Sequence, residues 1–300
     1  MNKPQHFDVF SIITNRIIEQ LEQQFVPWRK PWSEGGQPQN LITKRHYTGI
    51  NTWLLGSLGY AQNYFLTWKQ VQAIGANVRK GEKGTMIVFW KRLQRPSEDD
   101  TDQQKITAVL RYYNVFNIAQ VENLPSAYDT VDPPEAIVHI GACEDIIQGM
   151  PNRPAIRHDF QNAYYNPVQD YINMPKQQSF NTSESYYSVL FHEMVHSTGH
   201  RSRLNRREIV EPNKFGSEPY SIEELTAEIG ACFLNSVANI MDKEFDNSVA
   251  YIAGWISALK GNKRMIVYAS GQAQKATDYI LNISSYQDSE ANEYVTFKTH

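Results

Sequence analysis

The pentapeptide HEMVH at residues 192–196 constrains this chain more than any other stretch of its sequence. It lies in a segment, residues 186–199, whose apolar side chains recur at helical spacing and which ends at Gly199, a common helix terminator. On a helix, His192 and His196 lie one turn apart on the same face, so both imidazoles can bind one zinc ion. The pattern therefore predicts a metal-binding helix.

Glu193 lies beside this predicted metal site without having to bind the metal. A carboxylate in that position can take a proton from a water on zinc and pass it to a leaving amine, which is general acid/base catalysis in a zinc peptidase. The alternative is an ordinary helix that carries two histidines by chance. A third protein ligand would decide between them.

A second predicted helix, residues 221–240, offers that ligand. Glu224 and Glu228 are four residues apart and share a face, whereas Glu223 points away from this pair. We expect Glu224 to bind the metal and Glu228 to accept a hydrogen bond from an imidazole N–H. The alternative is a capping box, in which Ser221 and Glu224 bond the backbone at the helix start.

Four further polar residues could take part in the site. We expect His200 at the helix end or in the following loop, although a histidine four residues after His196 could also bind the metal. Tyr187, Tyr164 and Tyr165 could steady an oxyanion, or could simply pack beside the helix.

The charge distribution separates two parts of the chain. The whole chain carries a net charge of −3, whereas residues 1–95 contain 13 Lys/Arg and 5 Asp/Glu, a net charge of +8. This asymmetry indicates that the N-terminal part meets an anionic partner. Prolines in residues 122–134 mark a boundary. We therefore predict one domain at 1–125, a linker at 126–135 and a second domain at 136–300.

Aromatic and basic residues recur together in the N-terminal part. This mixture suits single-stranded DNA better than duplex, because unstacked bases can lie on aromatic faces. The glycines of residues 78–84 also allow the backbone to approach a phosphate. For the tryptophans of residues 27–32, the alternative is that they anchor this segment to the core. The candidate DNA contacts are Trp28, Arg29, Lys30, Trp32, Lys44, Arg45, Tyr47, Trp53, Trp68, Lys69, Arg79, Lys80 and Lys83.

Composition and periodicity indicate a globular α+β protein. No apolar run approaches a membrane span, and the first residues do not resemble a signal peptide, so we expect a cytoplasmic location without membrane contact. Cys143 and Cys232 lie outside any CxxC pattern and are expected to be buried and free, as in a reducing compartment. The predicted helices are 7–25, 135–148, 221–240, 248–260 and 263–282, and the predicted strands are 85–91, 106–118, 155–158, 163–165 and 171–174.

Short motifs along nearly the whole chain carry a family resemblance. In the first half they are PWRKPW at 27–32, YTGIN at 47–51, LTWKQ at 66–70, VRKGEKG at 78–84 and VFN at 115–117. In the second half they are AYYNPVQDYINMP at 163–175, FHEMVHSTGH at 191–200, RLNR at 203–206, FG at 215–216 and EELTAEIGACFL at 223–234. With these motifs the chain resembles the ArdC family of antirestriction proteins carried by conjugative plasmids.

The resemblance implies an N-terminal single-stranded-DNA-binding domain fused to a zincin-like metallopeptidase domain. It also implies zinc ligands at His192, His196 and Glu224, with Glu193 as the catalytic acid/base. The implied role is to protect incoming plasmid DNA from the recipient's restriction system during conjugation. The implied partners are single-stranded DNA and an unidentified protein substrate, such as a component of the restriction system.

Two other functions remain open from the residues themselves. The chain could be a binding protein with a structural or idle metal site, which coats DNA or occludes a restriction enzyme. It could also be a nuclease that uses the same metal. Two histidines and one glutamate suit peptide hydrolysis better than the paired-metal arrangement found in many nucleases.

Overall fold

The computed structural model describes residues 8–27, 37–95, 105–128, 140–180, 182–214, 216–240 and 249–283. The helices are α1 Val9–Glu22, α2 Ile50–Gly56, α3 Trp68–Ala73, α4 Ile140–Gly149, α5 Ser183–Thr198, α6 Arg207–Val210, α7 Glu218–Val237, α8 Val249–Gly261 and α9 Met265–Ile280. The strands are β1 Gln39–Asn40, β2 Tyr64–Thr67, β3 Asn77–Val78, β4 Thr85–Arg95, β5 Lys105–Asn117, β6 Val121–Glu122, β7 Ala155–Arg157, β8 Tyr164–Asn166 and β9 Tyr171–Asn173. The predicted α+β class is confirmed.

The N-terminal part is built on a four-stranded sheet with the order β1-β2-β5-β4. Strands β4 and β5 form a long antiparallel ladder, from Thr85 opposite Val115 to Arg95 opposite Lys105. The predicted strand pair is confirmed, and β4 runs four residues beyond its expected end. The acidic segment at 96–104, which would connect the two strands, lies outside the described residues.

A second sheet, of three short strands in the order β7-β9-β8, precedes the HEMVH helix. The three short strands predicted from the sequence are thereby confirmed. Strand β8 pairs antiparallel with β9 and lies at the edge of this sheet. Its position matters because β8 lines the cleft described below.

Helix α7 contributes to two hydrophobic cores. One face packs with α4, α5, β9 and the end of α9. The other face packs with α1, α2 and α8, so α1 shares a core with α7, α8 and α9. Polar contacts cross the same interface, since Thr14 Oγ1 donates to the Lys263 carbonyl at 2.6 Å. The predicted domain limits are not tested by this packing and remain a prediction.

Among the described residues the other predicted helices are found within three residues of their expected ends, whereas the predicted helical residues 7, 135–139 and 248 lie outside the described residues. The first helix was predicted to reach residue 25, but α1 ends at Glu22 and Gln24 takes a left-handed conformation (φ 61°). The chain therefore turns before Phe25, which is 36% exposed. Cys143 and Cys232 are buried and form no disulfide, as expected. None of the described helices combines the length and apolar character needed to cross a bilayer.

Candidate active site

Helix α5 carries the HEMVH residues on a buried framework. Thr182 caps its start by accepting a hydrogen bond from the Ser185 N–H at 3.1 Å, and the helix ends before Gly199. The predicted helix is confirmed and begins three residues earlier than expected. The two imidazoles lie side by side, with Nε2 of His192 only 3.1 Å from Nε2 of His196.

Helix α7 brings Glu224 to these imidazoles. One carboxylate oxygen of Glu224 lies 3.6 Å from His192 Nε2, and the other lies 3.7 Å from His196 Nε2. The helix starts at Glu218 and is capped by the side chain of Ser217, which places Ser221 inside it. A capping box at Ser221 is therefore wrong, and the Glu224 side chain is available to a ligand.

The spacing of these atoms fits a divalent metal ion. In the part of the chain that the structure describes, His192, His196 and Glu224 form a group whose possible ligand atoms lie within 4.8 Å of one another. A tetrahedral ion with bonds of about 2.0–2.2 Å separates its ligand atoms by roughly 3.3–3.6 Å. The observed separations are close to that range. Two imidazoles and one carboxylate also form a donor set of catalytic zinc sites, which keep a further position open.

The imidazole partner expected at Glu228 is instead Glu223, so that expectation was wrong. Oε1 of Glu223 lies 3.0 Å from His196 Nδ1, whereas Glu228 accepts a hydrogen bond from the Tyr251 hydroxyl. The reason is the way α5 crosses α7. Gly230 contacts α5, and it lies seven residues after Glu223 and thus on the same face of α7.

The charged side chains of the site stabilise one another. Burial by itself lowers the pKa of His196, but the hydrogen bond and charge of Glu223, with Glu193 and Glu224 nearby, raise it to about 9. Burial likewise opposes ionisation of Glu224, yet the His192 hydrogen bond and the imidazole charges lower its pKa to about 2. A divalent cation would take over this electrostatic role from the imidazole protons.

A cleft of about 970 Å³ opens over these residues. One wall is β8 with the turn after it, which includes Val168, and the other is α6 with the segment that follows it. Tyr164 and Tyr165 line the cleft, as does Glu193, which is 8% exposed. Tyr187 is buried and donates to Glu144 at 2.6 Å, so it packs beside the helix and does not reach the cleft lining.

Tyr220 is a cleft residue that the sequence analysis missed. It lies one turn before Glu224 on α7 and hydrogen-bonds that carboxylate. Burial and the Glu224 charge raise the pKa of Tyr220 to about 12, so the phenol stays protonated at neutral pH. The four-residue spacing was a usable signal, but the helix was predicted to begin at Ser221, which left Tyr220 outside it.

His200 lies in the loop after α5, as expected, and lines the cleft beside the two imidazoles. Its Nδ1 lies 2.8 Å from Ser202 Oγ and 3.8 Å from Asp170 Oδ2. Asp170 also accepts hydrogen bonds from Arg203, whose Nε donates to the Ser197 carbonyl at 2.7 Å. This cluster ties the β8–β9 turn to the end of α5 and so holds one wall of the cleft.

The candidate DNA contacts divide into three groups. Trp28, Arg29, Lys30 and Trp32 lie outside the described residues. Tyr47 and Trp53 are 7% and 0% exposed, so the expectation that they contact DNA was wrong. Trp53 packs in the core with α1, and Tyr47 packs edge-on against Phe65. The exposed candidates are Lys44, Arg45, Trp68, Lys69, Arg79, Lys80 and Lys83.

The exposed Trp68 lies close to the basic loop at residues 78–84. Its ring meets Phe116 edge-on, with the centroids 5.9 Å apart, and is 50% exposed. Gly84 approaches the same Phe116 so closely that a Cβ there would lie 3.0 Å from the ring. The side-chain amide of Gln120 holds the loop. It donates to a carboxylate oxygen of Glu82 at 2.8 Å and to the backbone carbonyl of Lys83 at 3.1 Å. We call Trp68 and this loop the Trp68 surface.

Two family models match the chain, one in each half. The model described as the N-terminal domain of anti-restriction factor ArdC matches residues 7–116, and the model described as a zincin-like metallopeptidase matches residues 143–272. The second match contains the whole cluster of His192, His196 and Glu224. A zincin-like domain implies a divalent metal, in agreement with the donor set.

Solved structures and curated proteins agree with these models. The chain is 35% identical to the antirestriction ArdC protein from plasmid R388. The metal-free crystal structure of that protein aligns over 93% of this chain and 100% of its own, with a TM-score of 0.71. The Mn(II)-bound structure of that protein aligns over 94% of this chain, with a TM-score of 0.72. The uncharacterized protein y4eC of Sinorhizobium fredii is 32% identical over 95% of both chains. A DNA primase TraC of Escherichia coli is 34% identical over 97% of this chain, which spans only 28% of that protein.

Proposed function

This chain belongs to the ArdC family of antirestriction proteins, and from that premise we propose that it protects incoming plasmid DNA from restriction during conjugation. In this proposal the N-terminal part binds single-stranded DNA, and the C-terminal part is a zinc peptidase that acts on a protein of the restriction system. The observation that carries the peptidase assignment is the cluster of His192, His196 and Glu224 in an open cleft, with Glu193 beside it.

The side chains of the cleft are arranged for peptide hydrolysis. A zinc ion bound by the two imidazoles and Glu224 would supply Lewis-acid chemistry, which polarises a carbonyl and acidifies water. Glu193 lies in the cleft next to both ligating histidines, where it can take a proton from the attacking water and deliver it to the leaving amine. Strand β8 lies at a sheet edge and lines the cleft, so an extended peptide can add to it as a further strand.

The Trp68 surface supports the DNA-binding half of the proposal. Arg79, Lys80 and Lys83 are exposed on a loop that Gln120 holds in place, and an exposed indole lies nearby. Cations placed beside an aromatic face are the combination that binds the backbone and the stacked bases of a single strand. The positive net charge of residues 1–95 extends the attraction beyond these contacts.

Elemental analysis of the purified protein tests the metal site. We expect wild type to contain zinc, Glu224→Ala to lose it and Glu228→Ala to keep it, because Glu228 accepts a hydrogen bond from Tyr251 of α8, one turn away from the ligand cluster. Zinc that stays in Glu224→Ala and leaves in Glu228→Ala would move the ligand by one turn. A wild-type protein that binds no divalent metal would contradict the peptidase assignment.

Glu193→Gln separates catalysis from binding. We expect this variant to keep its metal and to lose cleavage of a peptide library that wild type cleaves. Plasmid transfer into a restricting recipient then shows whether catalysis is needed for protection. If Glu193→Gln protects as well as wild type, protection comes from binding alone.

Incubation with labelled DNA tests nuclease activity, which we expect to be absent.

DNA binding is tested with the full-length chain, because α1 shares its core with α7, α8 and α9. We expect tighter binding to a single-stranded oligonucleotide than to duplex, with an affinity that falls as salt rises. Lys80→Ala should lower the salt slope by about 0.7, the value for one phosphate contact on a single strand. The exposed Lys275 on α9 provides the matched control, and Lys275→Ala should leave both quantities unchanged. Equal binding of duplex would contradict the proposal.

A further inference from the structure

A buried ion pair lies behind the metal-binding face of α5. Arg206 and Glu223 are each 4% exposed. The guanidinium donates from Nε to Oε2 of Glu223 at 2.9 Å and from one terminal nitrogen to Oε1 at 2.6 Å, which is the two-pronged geometry of a strong Arg–carboxylate pair. Oε1 of Glu223 also lies 3.0 Å from Nδ1 of His196. A charged carboxylate can only accept, so Nδ1 of His196 carries the hydrogen.

The same guanidinium closes the C-terminal end of α5. It donates to the Val195 carbonyl at 2.8 Å and to Thr198 Oγ1 at 2.5 Å. Carbonyls in the last turn of a helix have no helical partner, and a cation there also complements the helix dipole. Gly199 makes room for the packing here, because a Cβ at that position would lie 2.5 Å from a side-chain carbon of Ile209 and 3.0 Å from the guanidinium.

Stability alone does not account for this pair. Desolvation of two buried charges offsets most of their attraction, so an apolar pair of similar size would stabilise the fold about as well. A carboxylate can do something at this position that an apolar side chain cannot. It accepts the Nδ1 hydrogen of His196 and so directs the lone pair of Nε2 towards the metal site. The arginine in turn fixes the orientation of this carboxylate through its two hydrogen bonds.

We propose that Arg206 and Glu223 are positioning residues for His196: Arg206 orients Glu223, and Glu223 holds the imidazole in the tautomer and rotation that the metal requires. The inference rests on the proposed metal site and names two residues that set its affinity. It also gives a role to the RLNR motif at 203–206, whose last residue holds the carboxylate of Glu223.

Zinc affinity of the full-length protein, measured by competition with a chromophoric chelator, tests the inference. We expect Glu223→Gln to bind zinc about 10- to 100-fold more weakly than wild type, the usual cost of losing the partner of a ligating histidine. Arg206→Lys keeps the charge but loses the two-pronged contact, and should give a smaller loss in the same direction. Glu228→Gln is the matched control on the same helix and should bind zinc as wild type does.

Two further readouts separate positioning from a structural role. The melting temperature is measured with and without zinc, and positioning predicts that the zinc-induced rise shrinks in Glu223→Gln. A purely structural role would lower both temperatures together and leave the rise unchanged. In the zinc-loaded wild type, proton NMR should show a hydrogen-bonded Nδ1–H resonance from His196, and this resonance should move or vanish in Glu223→Gln.

The outcomes are distinguishable. Zinc binding by Glu223→Gln that equals wild type, or an equal loss in Glu228→Gln, would overturn the inference and leave the metal site intact. Absence of zinc binding in wild type would overturn the proposed function, and the inference with it. If Glu223→Gln does not fold, Arg206→Lys decides, and an unchanged zinc affinity in that variant refutes the positioning role.

Discussion

Gly230 lies at the closest approach of the two helices that hold the candidate ligands. A Cβ built at this position would lie 2.7 Å and 3.0 Å from the two γ-carbons of Val195, well inside the 3.5–4.0 Å of ordinary carbon contacts. Val195 is 0% exposed, and its β-branched side chain has one favoured rotamer in a helix, so it cannot retreat. Gly230→Ala must therefore push α5 and α7 apart.

The net effect of this substitution is the difference of two free energies. Alanine in place of glycine in a helix interior stabilises by about 1 kcal/mol. Overpacking a filled core costs about 1–3 kcal/mol, and the depth of this overlap favours the upper half of that range. We expect a net destabilisation of about 1–2 kcal/mol, which lowers the melting temperature of a chain of this size by about 2–3 °C.

Urea denaturation of Gly230→Ala, alone and in a Val195→Ala background, measures the clash directly. Val195→Ala removes both γ-carbons, so Gly230→Ala should change sign there and stabilise by about 1 kcal/mol. Gly271→Ala in α9 is the matched control, because a Cβ there meets nothing within 4 Å, and it should stabilise in both backgrounds. A Gly230→Ala variant that is as stable as Gly271→Ala would refute the close crossing of α5 and α7.

Three further predictions concern other parts of the molecule. Burial opposes ionisation of Asp170, but hydrogen bonds led by Arg203 lower its pKa. Asp170→Asn should therefore lose about 2 kcal/mol of unfolding free energy at neutral pH. In urea titrations this difference should persist above about pH 4 and disappear as the pH falls through the lowered pKa. Gln120→Ala frees the loop at 78–84 and should weaken single-strand binding about fivefold in fluorescence anisotropy, with an unchanged salt slope because the cations remain. Burial raises the pKa of Cys143 to about 11, so thiol reagents at pH 8 should modify it only after unfolding; rapid labelling of native protein would contradict this.

Local sequence patterns were sufficient for the elements that carry the site. The spacing of His192 and His196 places both imidazoles on one face of any helix, whatever surrounds it. Glu224 followed because a zinc site of this type needs a third ligand, and α7 does carry it to the imidazoles. Glu223 could not be found in this way. It lies about 100° around α7 from Glu224, and it meets His196 only because of how α7 crosses α5.

Exposure was the property that local patterns predicted least well. Trp53 and Trp68 both follow a threonine and were both expected to contact DNA. The first is fully buried against α1, whereas the second is 50% exposed. The difference arises from which elements pack over α2 and α3, and those partners are far away in the sequence. Residue type and local charge therefore located the basic region, while the fold decided which aromatic rings a ligand can reach.

The packing of α1 against the end of the chain has a consequence for synthesis on the ribosome. The backbone partner of Thr14 is 249 residues away, at Lys263. Translation at about 5–20 residues per second leaves roughly 12–50 s between the appearance of the two. Throughout that interval the apolar face of α1, with Ile13, Ile17 and Leu21, has no native cover from α8. The apolar face of α1 therefore stays exposed on the nascent chain until α8 and α9 emerge, and the core around α1 is completed only then.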